Sequence, residues 1–470
     1  MLVRKVKQEE IETIHEKTLF LLENVGIRFD SPELIEVFKK HGIRTQGAVA
    51  YFSEKDVEQA VSLLQPSFEI RTPYRSLTIG DGNPVFSSLS GARNVMKGGV
   101  VRPSRMEDYI EGRILDSTSP AIDISDPLFI QIVGLPEERD PLIKTALTLT
   151  YTKKPVVAYC DTEKNTRETL DFIREFYDAP EDEYYCLGVG NMISPFCYGK
   201  DDVESILTFS RRNQPICITC CSMPGMTSPI TLGGTIVQNN AEILAGLIMT
   251  QIVSPGSPVI YGNLSFVSDM RKAVPVSWGP EVAVFMQYSK AMAEFYHVPC
   301  RTGGTLSSAK EVDWQDGAET AMSLMTVFDC GVDYVLHGCG GLDGLNTFSP
   351  EKFVLDEQLI LSRRSLMDRE LFSDEAINLE SMKEVGPGGN YLLEEDTLEL
   401  YRTELFYPSL FNTEPLSSWE REGRASVFEK ARKEVEQRVE GFTFPVYDKR
   451  QQELLSRALE GVDLPVREKG

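Results

Sequence analysis

Residues 215–266 carry the clearest signal of the fold class, and they open with PICITCC, residues 215–221. This apolar run is too short for a helix and is rich in residues that favour a buried strand. A long apolar segment follows, from the capping Ser228-Pro229 to Val253, and predicts a helix. The run PVIYGNLSF, residues 258–266, then predicts a second strand. Together they predict a βαβ unit of a parallel sheet, in which ligands bind beyond the carboxyl ends of the strands.

The helix of this unit contains two features that need an explanation. We expect Gly233-Gly234 to divide it, because a continuous helix from Pro229 to Val253 would be unusually long. Asn239, Asn240 and Glu242 are polar residues in an otherwise apolar segment. They either make hydrogen bonds on a solvated face or at a helix end, or face the mouth of a site.

The same alternation of short apolar runs and helical patterns continues on both sides of this unit. Eight such runs can be counted: Pro84–Ser87 or Asn94–Lys97, Ile122–Ile130, Pro155–Cys160, Cys186–Ile193, Pro215–Cys221, Pro258–Phe266, Val298–Thr305 and Tyr334–Cys339. Eight strands with intervening helices predict an α/β fold, a (β/α)₈ TIM barrel at residues 81–366. We expect an N-terminal helical extension at residues 1–80 and a mostly helical C-terminal segment at residues 367–470.

Composition excludes several classes of partner. The chain has 470 residues and a formal net charge of −23, which disfavours binding to a phosphate backbone. We read neither a signal peptide nor an apolar stretch of transmembrane length. The nine cysteines lie mostly in apolar runs, as is usual for reduced thiols. We therefore expect a cytoplasmic homo-oligomer without nucleic-acid or membrane partners.

Histidine is scarce, which limits acid–base and metal chemistry. Two of the four histidines, His15 and His41, lie in the charged N-terminal helices. We expect a structural role for His297, which follows a helix at the end opposite to the expected site. His337 lies at the predicted carboxyl end of the last strand, where contact with a ligand and simple packing are both open.

Cysteine spacing gives only a weak metal signal. Cys217 and Cys220 have CxxC spacing, but within a strand their sulfur atoms point to opposite faces. Cys339 stands among glycines in a setting that is similar to zinc-dependent thiol methyltransferases, although those carry two adjacent cysteines. That activity is an alternative hypothesis, and we expect no bound metal.

Aromatic residues share a position at or just beyond the predicted strand ends. They are accompanied by carboxylates, and the set comprises Tyr159, Tyr261, Phe266, Trp278, Trp314, Asp161, Asp269, Glu281 and Asp313. Any single aromatic residue of this set can equally belong to the core. As a group, aromatic faces with carboxylates and few bases suit a quaternary ammonium, with about 0.5–2 kcal/mol for each cation–π contact.

A resemblance to a known family rests on motifs spread over roughly residues 90–400. They are Met226-Thr227-Ser228-Pro229 to Gly233, Asn240 to Gly246, Pro255 to Gly262, Gly279-Pro280-Glu281, Asp313-Trp314-Gln315, Phe348 to Asp356, and Glu384 to Gly389. In these motifs the chain resembles the trimethylamine methyltransferase family. The resemblance implies a TIM barrel that moves a methyl group from an amine to the cobalt of a separate corrinoid protein.

Two departures from the family pattern refine this expectation. The archaeal trimethylamine enzymes carry pyrrolysine near the last barrel strand, whereas this chain has ordinary residues from Gly338 to Phe348. In this respect it is similar to the branch that demethylates quaternary amines, which favours glycine betaine, with proline betaine or carnitine as alternatives. Asp396-Thr397 stands where a His-Thr pair is expected, so no role is carried over to that segment.

The chemistry of a betaine, which carries both a cation and a carboxylate, predicts how such a substrate is bound. We expect Tyr261, Phe266, Trp278 and Trp314, backed by Glu281 and Asp313, to hold the ammonium group. Arg301 and His337 are the expected donors to the carboxylate, with the Gly303-Gly304 amides as a third possibility. Arg301 can instead form a salt bridge with Asp313 or Glu319. We expect the corrinoid to be carried by a partner protein and not held tightly here; a non-catalytic betaine-binding protein is the remaining alternative.

Overall fold

A computed structural model of the chain describes residues 4–158, 161–264, 266–272, 274–367 and 369–464. The strands are β1 (Ile27–Phe29), β2 (Arg44–Gln46), β3 (Val49–Tyr51), β4 (Phe68–Arg71), β5 (Ser76–Ile79), β6 (Val85–Phe86), β7 (Asn94–Lys97), β8 (Val100–Pro103), β9 (Val157–Ala158), β10 (Leu187–Asn191), β11 (Cys197–Tyr198), β12 (Ile216–Cys220), β13 (Val259–Asn263), β14 (Val267–Asp269), β15 (Val274–Val276), β16 (Cys300–Arg301), β17 (Tyr334–Val335), β18 (Gly341–Leu342) and β19 (Thr347–Phe348). The α-helices are α1 (Gln8–Asn24), α2 (Pro32–Lys40), α3 (Glu54–Val61), α4 (Met106–Thr118), α5 (Asp140–Tyr151), α6 (Glu163–Tyr177), α7 (Lys200–Arg211), α8 (Leu232–Val253), α9 (Pro280–Phe295), α10 (Trp314–Cys330), α11 (Pro350–Arg364), α12 (Asp374–Ile377), α13 (Leu379–Val385), α14 (Glu395–Glu404), α15 (Leu416–Arg421), α16 (Val427–Glu440) and α17 (Lys449–Ala458).

A curled, parallel sheet of seven strands forms the centre of the molecule. Its order is β6-β17-β16-β13-β12-β10-β9, and helices connect most successive strands. The predicted α/β class is therefore confirmed. The first sheet strand is β6, since β7 pairs with β8 and β19 in a different sheet. We call the end of the sheet at which the strands' carboxyl ends lie the mouth.

The predicted strand at residues 122–130 is not formed as a strand. The structure shows isolated parallel bridges there instead, between Ser87 and Ile124 and between Ser125 and Val156. These bridges continue β6 and β9, the two edge strands of the sheet. Short apolar stretches with only one or two ladder bonds are difficult to separate from true strands by sequence pattern alone.

The hairpin β4–β5 fills the amino end of the curled sheet. Its residues Phe68, Ile70, Leu77 and Ile79 are buried in one cluster with inward-facing residues of the sheet strands, among them Val85, Val157, Leu187, Cys217, Ile260 and Tyr334. Burial of these side chains removes apolar surface from water, which favours the fold by about 25 cal/mol per Å². The inner space of the sheet is thus packed at its amino end.

Helix α8 corrects one expectation from the sequence. It begins at Leu232, after the flanking Thr231, and continues without a break to Val253, so the predicted division at Gly233-Gly234 is wrong. The two glycines lie in the first turn, where backbone N–H groups have no partner within the helix in any case. Sixteen of its 22 residues are buried, because β12, β13 and α1 surround it. Among the described residues, no helix is long and apolar enough to cross a membrane.

The terminal segments pack on the outside of this centre. The first 80 residues contain helices α1, α2 and α3 but also the strands β1–β5, and β1 pairs in parallel with β11. Near the C-terminus, α16 packs on α11, where Arg438 Nη2 lies 2.7 Å from Glu357 Oε2. Helix α17 packs on α5 and α6. No residue of α12, α13, α14 or α15 is buried.

Candidate functional site at the sheet mouth

One layer of inward-facing residues crosses the sheet below the mouth. Arg301 of β16 pairs with Gly262 of β13 and with Tyr334 of β17, and Gly262 pairs with Thr219 of β12. Partners in neighbouring strands point to the same face of a sheet, and Tyr334 lies in the interior cluster. A Cβ atom on Gly262 would lie 2.6 Å from Thr219 Oγ1, so only glycine fits beside these side chains.

Arg301 is a buried cation with N–H groups that no described residue pairs with. Arg301 is 1% exposed, and its Nε and Nη1 have no hydrogen-bond partner within the described part of the chain. The alternative salt bridges are not formed, because Asp313 accepts from two N–H groups of α10 and Glu319 accepts from Ser307 and Ser308. A buried, unpaired charge costs several kcal/mol, and arginine does not lose its proton in proteins. The environment therefore favours an anion.

His337 lies next to this cation and is neutral. It is 4% exposed, and burial, followed by the nearby positive charge of Arg301, holds its pKa well below the ordinary histidine value. Its Nδ1 accepts a hydrogen bond of 3.1 Å from the backbone N–H of Ser90. In a neutral ring the proton must then be on Nε2, which is a donor. Arg301 and His337, both predicted from the sequence, thus present donors at neighbouring positions.

Sequence reasoning missed the polar group that supports His337. Ser88 accepts from the His337 N–H through its carbonyl oxygen at 3.3 Å, and its Oγ accepts from the Asp126 N–H at 3.0 Å. Asp126 is buried, and burial raises its pKa to about 6. The available signal was the run Ser87-Ser88-Leu89-Ser90, which follows the apolar β6 directly. Small polar residues just after a buried strand indicate a site in a parallel sheet.

Tyr261 does not join this group. Its side chain lies on the outer face of the sheet, where its hydroxyl donates to Asn240 Oδ1 at 3.0 Å. The amide of Asn240 also binds Thr18 and Tyr296, at 2.8 and 2.9 Å. The polar residues of α8 are therefore anchors between the sheet, α1 and α9, and Asn240 does not face the mouth.

Glu242 has a comparable anchoring role on the same helix. Its Oε2 accepts from Ser194 Oγ at 2.7 Å, and its Oε1 accepts from the Phe196 N–H at 2.7 Å. Asn239 lies one turn earlier, where its Oδ1 is 3.2 Å from Cys220 Sγ. These contacts hold the loop after β10 against the outer side of the sheet.

Phe266 and Trp278 lie near the loop that follows Arg301. Phe266 is buried and lines a small cavity together with Ser277, Gly303 and Gly304. The Ser277 hydroxyl is 3.0 Å from that of Ser308, which ties the segment before Trp278 to the same loop. Trp278 is half-buried. Glu281 stands in the first turn of α9, also half-buried.

Trp314 and Asp313 lie farther out, at the start of α10. Asp313 is exposed and caps the helix, and Trp314 is 88% exposed. Exposed apolar residues occur on other segments that follow sheet strands as well. We call this set the apolar rim; it comprises Val133, Ile193, Met226, Ile230, Met270, Val274 and Trp314. Two further predicted residues are separate cases: Tyr159 lies outside the described residues, and Asp161 bonds to the Asn165 side chain at 2.9 Å.

The cysteines give no sign of a metal site in the described residues, which leave out Cys160. In the described part of the chain, no group of three or more His, Cys, Asp or Glu residues is placed to hold a metal ion. Cys339 is fully buried, and burial raises the pKa of its thiol well above the ordinary value. A thiol with a raised pKa is a poor metal ligand and nucleophile.

Comparisons with known proteins agree with this architecture. Residues 2–460 match the trimethylamine methyltransferase (MTTB) family. The chain is 31% identical to the proline betaine:corrinoid methyltransferase of Eubacterium limosum, with coverage of 97% of this chain and 96% of the relative. It is 29% identical to the L-carnitine:corrinoid methyltransferase of the same organism (96% of each chain) and 28% identical to the glycine betaine methyltransferase of Desulfitobacterium hafniense strain Y51 (88% of each).

Among solved structures, the fold is similar to that of the monomethylamine methyltransferase of Methanosarcina barkeri. The TM-score is 0.54 at 11% identity, over 94% of this chain and 90% of that one. The match of the family over almost the whole length confirms the family and the methyltransferase class that the sequence motifs predict. This chain belongs to the trimethylamine methyltransferase family.

Proposed function

We propose that this protein transfers a methyl group from a betaine, a quaternary amine with a carboxylate, to the cobalt(I) of a separate corrinoid protein. The observation that carries the proposal is the buried Arg301, whose Nε and Nη1 have no partner among the described residues. A carboxylate matches the planar fork of an arginine and neutralises its charge. The neutral His337 supplies a further donor from Nε2. Glycine betaine is our favoured substrate, with proline betaine and carnitine as alternatives.

We assign the ammonium end of the substrate to the side of the pocket opposite to Arg301 and His337. Phe266 and Trp278 lie by the loop after Arg301, with Glu281 in the next helix and Trp314 and Asp313 at the rim. Aromatic faces and carboxylates favour a cation that has no proton to give. Tyr261 is left out of this pocket, because its side chain lies on the outer face.

The reaction needs no general base from the protein. The N–CH₃ bond breaks, its electron pair stays on nitrogen, and the amine leaves as a neutral tertiary amine. The corrinoid of the partner supplies the nucleophile that takes the methyl group. The residues of this chain bind the carboxylate, orient the ammonium group toward the mouth and exclude water. A site with one neutral histidine is sufficient for that task.

We propose that the sheet of this protein closes into a barrel. Ser87 and Ile124 on one side and Ser125 and Val156 on the other form parallel bridges, which supports closure of the seven-stranded sheet through segment 124–125. We keep the division into residues 1–80, 81–366 and 367–470. We also propose a cytoplasmic protein that holds no corrinoid tightly itself. The exposed rim around the mouth fits an acceptor that arrives on another protein.

An assay with free cob(I)alamin tests the activity. Purified protein is mixed with each of several betaines, and loss of the cob(I)alamin absorbance is followed. Turnover with at least one betaine is expected. Binding of a betaine without any turnover, including with corrinoid proteins of the relatives, would favour a betaine-binding protein. Activity that depends on added zinc and disappears in Cys339→Ser would favour the thiol methyltransferase.

The substitution Arg301→Met tests the carboxylate assignment. Charge-assisted hydrogen bonds contribute about 1.5–3 kcal/mol each, so the KM for the betaine should rise at least about tenfold. The KM for tetramethylammonium, which has no carboxylate, should change little. The variant should melt no lower than the parent, since it removes an unpaired buried charge.

Arg271→Met serves as the matched control, because Arg271 is exposed near the mouth and paired with Asp269 at 2.9 Å. Both KM values should be unchanged in it. Equal losses for betaine and tetramethylammonium in Arg301→Met, together with a lower melting temperature, would show that Arg301 supports the fold instead.

A further inference from the structure

An extended segment leaves the molecule at the end opposite to the mouth. Helix α11 ends at Arg364, whose guanidinium donates to the carbonyl of Pro84 at 2.9 Å and of Ala121 at 3.1 Å. Pro84 directly precedes β6, so this contact marks the amino ends of the strands. The chain rejoins α11 at Ser409, whose N–H donates to Gln358 at 2.9 Å. We call residues 371–407, between these two points, the arm.

The arm is ordered by contacts within itself. The side chain of Arg369, just before the arm, donates to Glu404 Oε2 at 3.2 Å, and Asn378 bonds to Asp396. Ser373 and Asn378 cap the short helices α12 and α13. Yet no residue of α12, α13, the 3₁₀ turn Tyr391–Leu393 or α14 is buried. The arm therefore has secondary structure but no core of its own.

The exposed surface of the arm is unusually apolar. Thirteen large apolar residues of the arm are between 37% and 85% exposed. The most exposed are Phe372, Leu379, Leu392, Leu393 and Leu398. Five of the thirteen side chains are aromatic, at roughly 200 Å² each, and eight are aliphatic, at roughly 100 Å² each, so with about half of each exposed they amount to roughly 900 Å². Patches on monomers rarely exceed about 300–600 Å², whereas a stable interface takes about 800 Å² from each partner.

The position of the arm decides which partner covers it. A corrinoid protein has to approach the mouth, where Arg301 and His337 lie, and has to leave again after each transfer. The arm leaves α11 at the amino end of the sheet, and its helices α12, α13 and α14, which have no buried residue, need a cover at all times. A second copy of the chain is always present at the same concentration. An interface of this size is in the range of specific, stable protein–protein interfaces.

We propose that the arm is the interface through which two copies of this chain associate. The arm has nine acidic residues and two basic ones, so charge opposes association at low ionic strength. At about 0.15 M salt the Debye length falls to about 8 Å, so repulsion between exposed charges farther apart than that is largely screened. Under that condition burial of the apolar side chains dominates. The proposal is independent of the methyl-transfer activity.

Sedimentation and light scattering of the full chain at that salt concentration test the proposal. The parent should be a dimer, or a larger oligomer built from dimers, at micromolar concentration. The double variant Phe372→Asp/Leu393→Asp should be monomeric with an unchanged far-UV circular dichroism spectrum. Phe20→Asp is the matched control, because Phe20 is 60% exposed on α1, far from the arm in sequence, and the same chemical change there should leave the dimer intact.

Hydrogen exchange adds a readout that does not depend on variants. Amides of α14 should exchange slowly in the concentrated parent and quickly after dilution below the dissociation constant. A parent that is monomeric at high micromolar concentration would overturn the proposal. So would a double variant that remains folded and as oligomeric as the parent, or protection of α14 that appears only when a corrinoid protein is added.

Discussion

Two ionisable residues near Tyr334, the cation Arg301 and the carboxylic acid Asp126, are both buried. Arg301 carries a charge that a ligand can neutralise. Asp126 is 2% exposed, accepts from the Leu128 N–H at 2.8 Å, and has its pKa raised to about 6 by burial. Both affect the pKa of Tyr334, which burial raises above its ordinary value. An arginine or an aspartate can be identified in a sequence. Whether its side chain lacks a partner in the fold cannot, because that depends on how distant segments of the chain meet.

The raised pKa of Asp126 predicts a pH-dependent stability. In the unfolded chain the carboxyl group titrates near pH 3.9, so between about pH 4 and 6 the folded protein retains a proton that the unfolded chain has lost. This residue therefore lowers the free energy of unfolding as the pH rises through that range. Asp126→Asn removes the penalty, which amounts to up to about 3 kcal/mol at pH 7 and vanishes below pH 4.

Urea unfolding of the variant and the parent at several pH values measures this difference. Asp182→Asn, in an exposed turn, is the control and should follow the parent at each pH. A constant difference between Asp126→Asn and the parent from pH 4 to 7 would contradict the titration of Asp126 as its cause.

Among the elements, sequence patterns located the strands of the sheet better than they identified which residues of each strand point inward. Both faces of a parallel strand are covered and apolar, so the pattern that locates β12 and β13 does not tell which residues point inward. Tyr261 and Arg301 were assigned to one pocket, yet Tyr261 packs outward with α8 and Arg301 is in the inner layer. The βα loops were predictable as the place of the site because the carboxyl ends of parallel strands converge there.

These loops carry the apolar rim, and its function can be tested at the same scale. If the rim receives the corrinoid protein, the double variant Ile230→Asp/Met270→Asp should lower kcat/KM for that protein at least tenfold. With free cob(I)alamin, which needs no protein contact, kcat should stay within about twofold of the parent. A carboxylate buried at such an interface without a partner costs several kcal/mol, so two of them exceed the roughly 1.4 kcal/mol of a tenfold loss.

Val446→Asp is the control for the rim, since Val446 is 81% exposed on the segment between α16 and α17. Its kcat/KM should match that of the parent with both acceptors. Equal losses of the rim variant with the corrinoid protein and with free cob(I)alamin would place the defect in the pocket rather than in docking.

At the scale of the whole molecule, the family and the methyltransferase class were predictable because their motifs are spread over most of the chain. The parallel sheet followed from its apolar runs, whereas the pairing of β1 with β11 was missed, since three-residue strands leave little pattern to detect. The arm leaves the fold at the amino end of the sheet, opposite to the mouth. Two copies can therefore associate through their arms while each mouth remains open to an acceptor protein.

The hairpin β4–β5, packed into the amino end of the sheet, has a kinetic consequence. A substrate that enters by the mouth has to leave by the mouth, and a corrinoid protein seated there blocks that path in both directions. We expect a compulsory order in which the betaine binds first, the corrinoid protein second, and the demethylated amine departs last. Excess corrinoid protein should then inhibit turnover at low betaine concentration, and a higher betaine concentration should relieve this inhibition. A random order would show no such inhibition in initial-rate measurements.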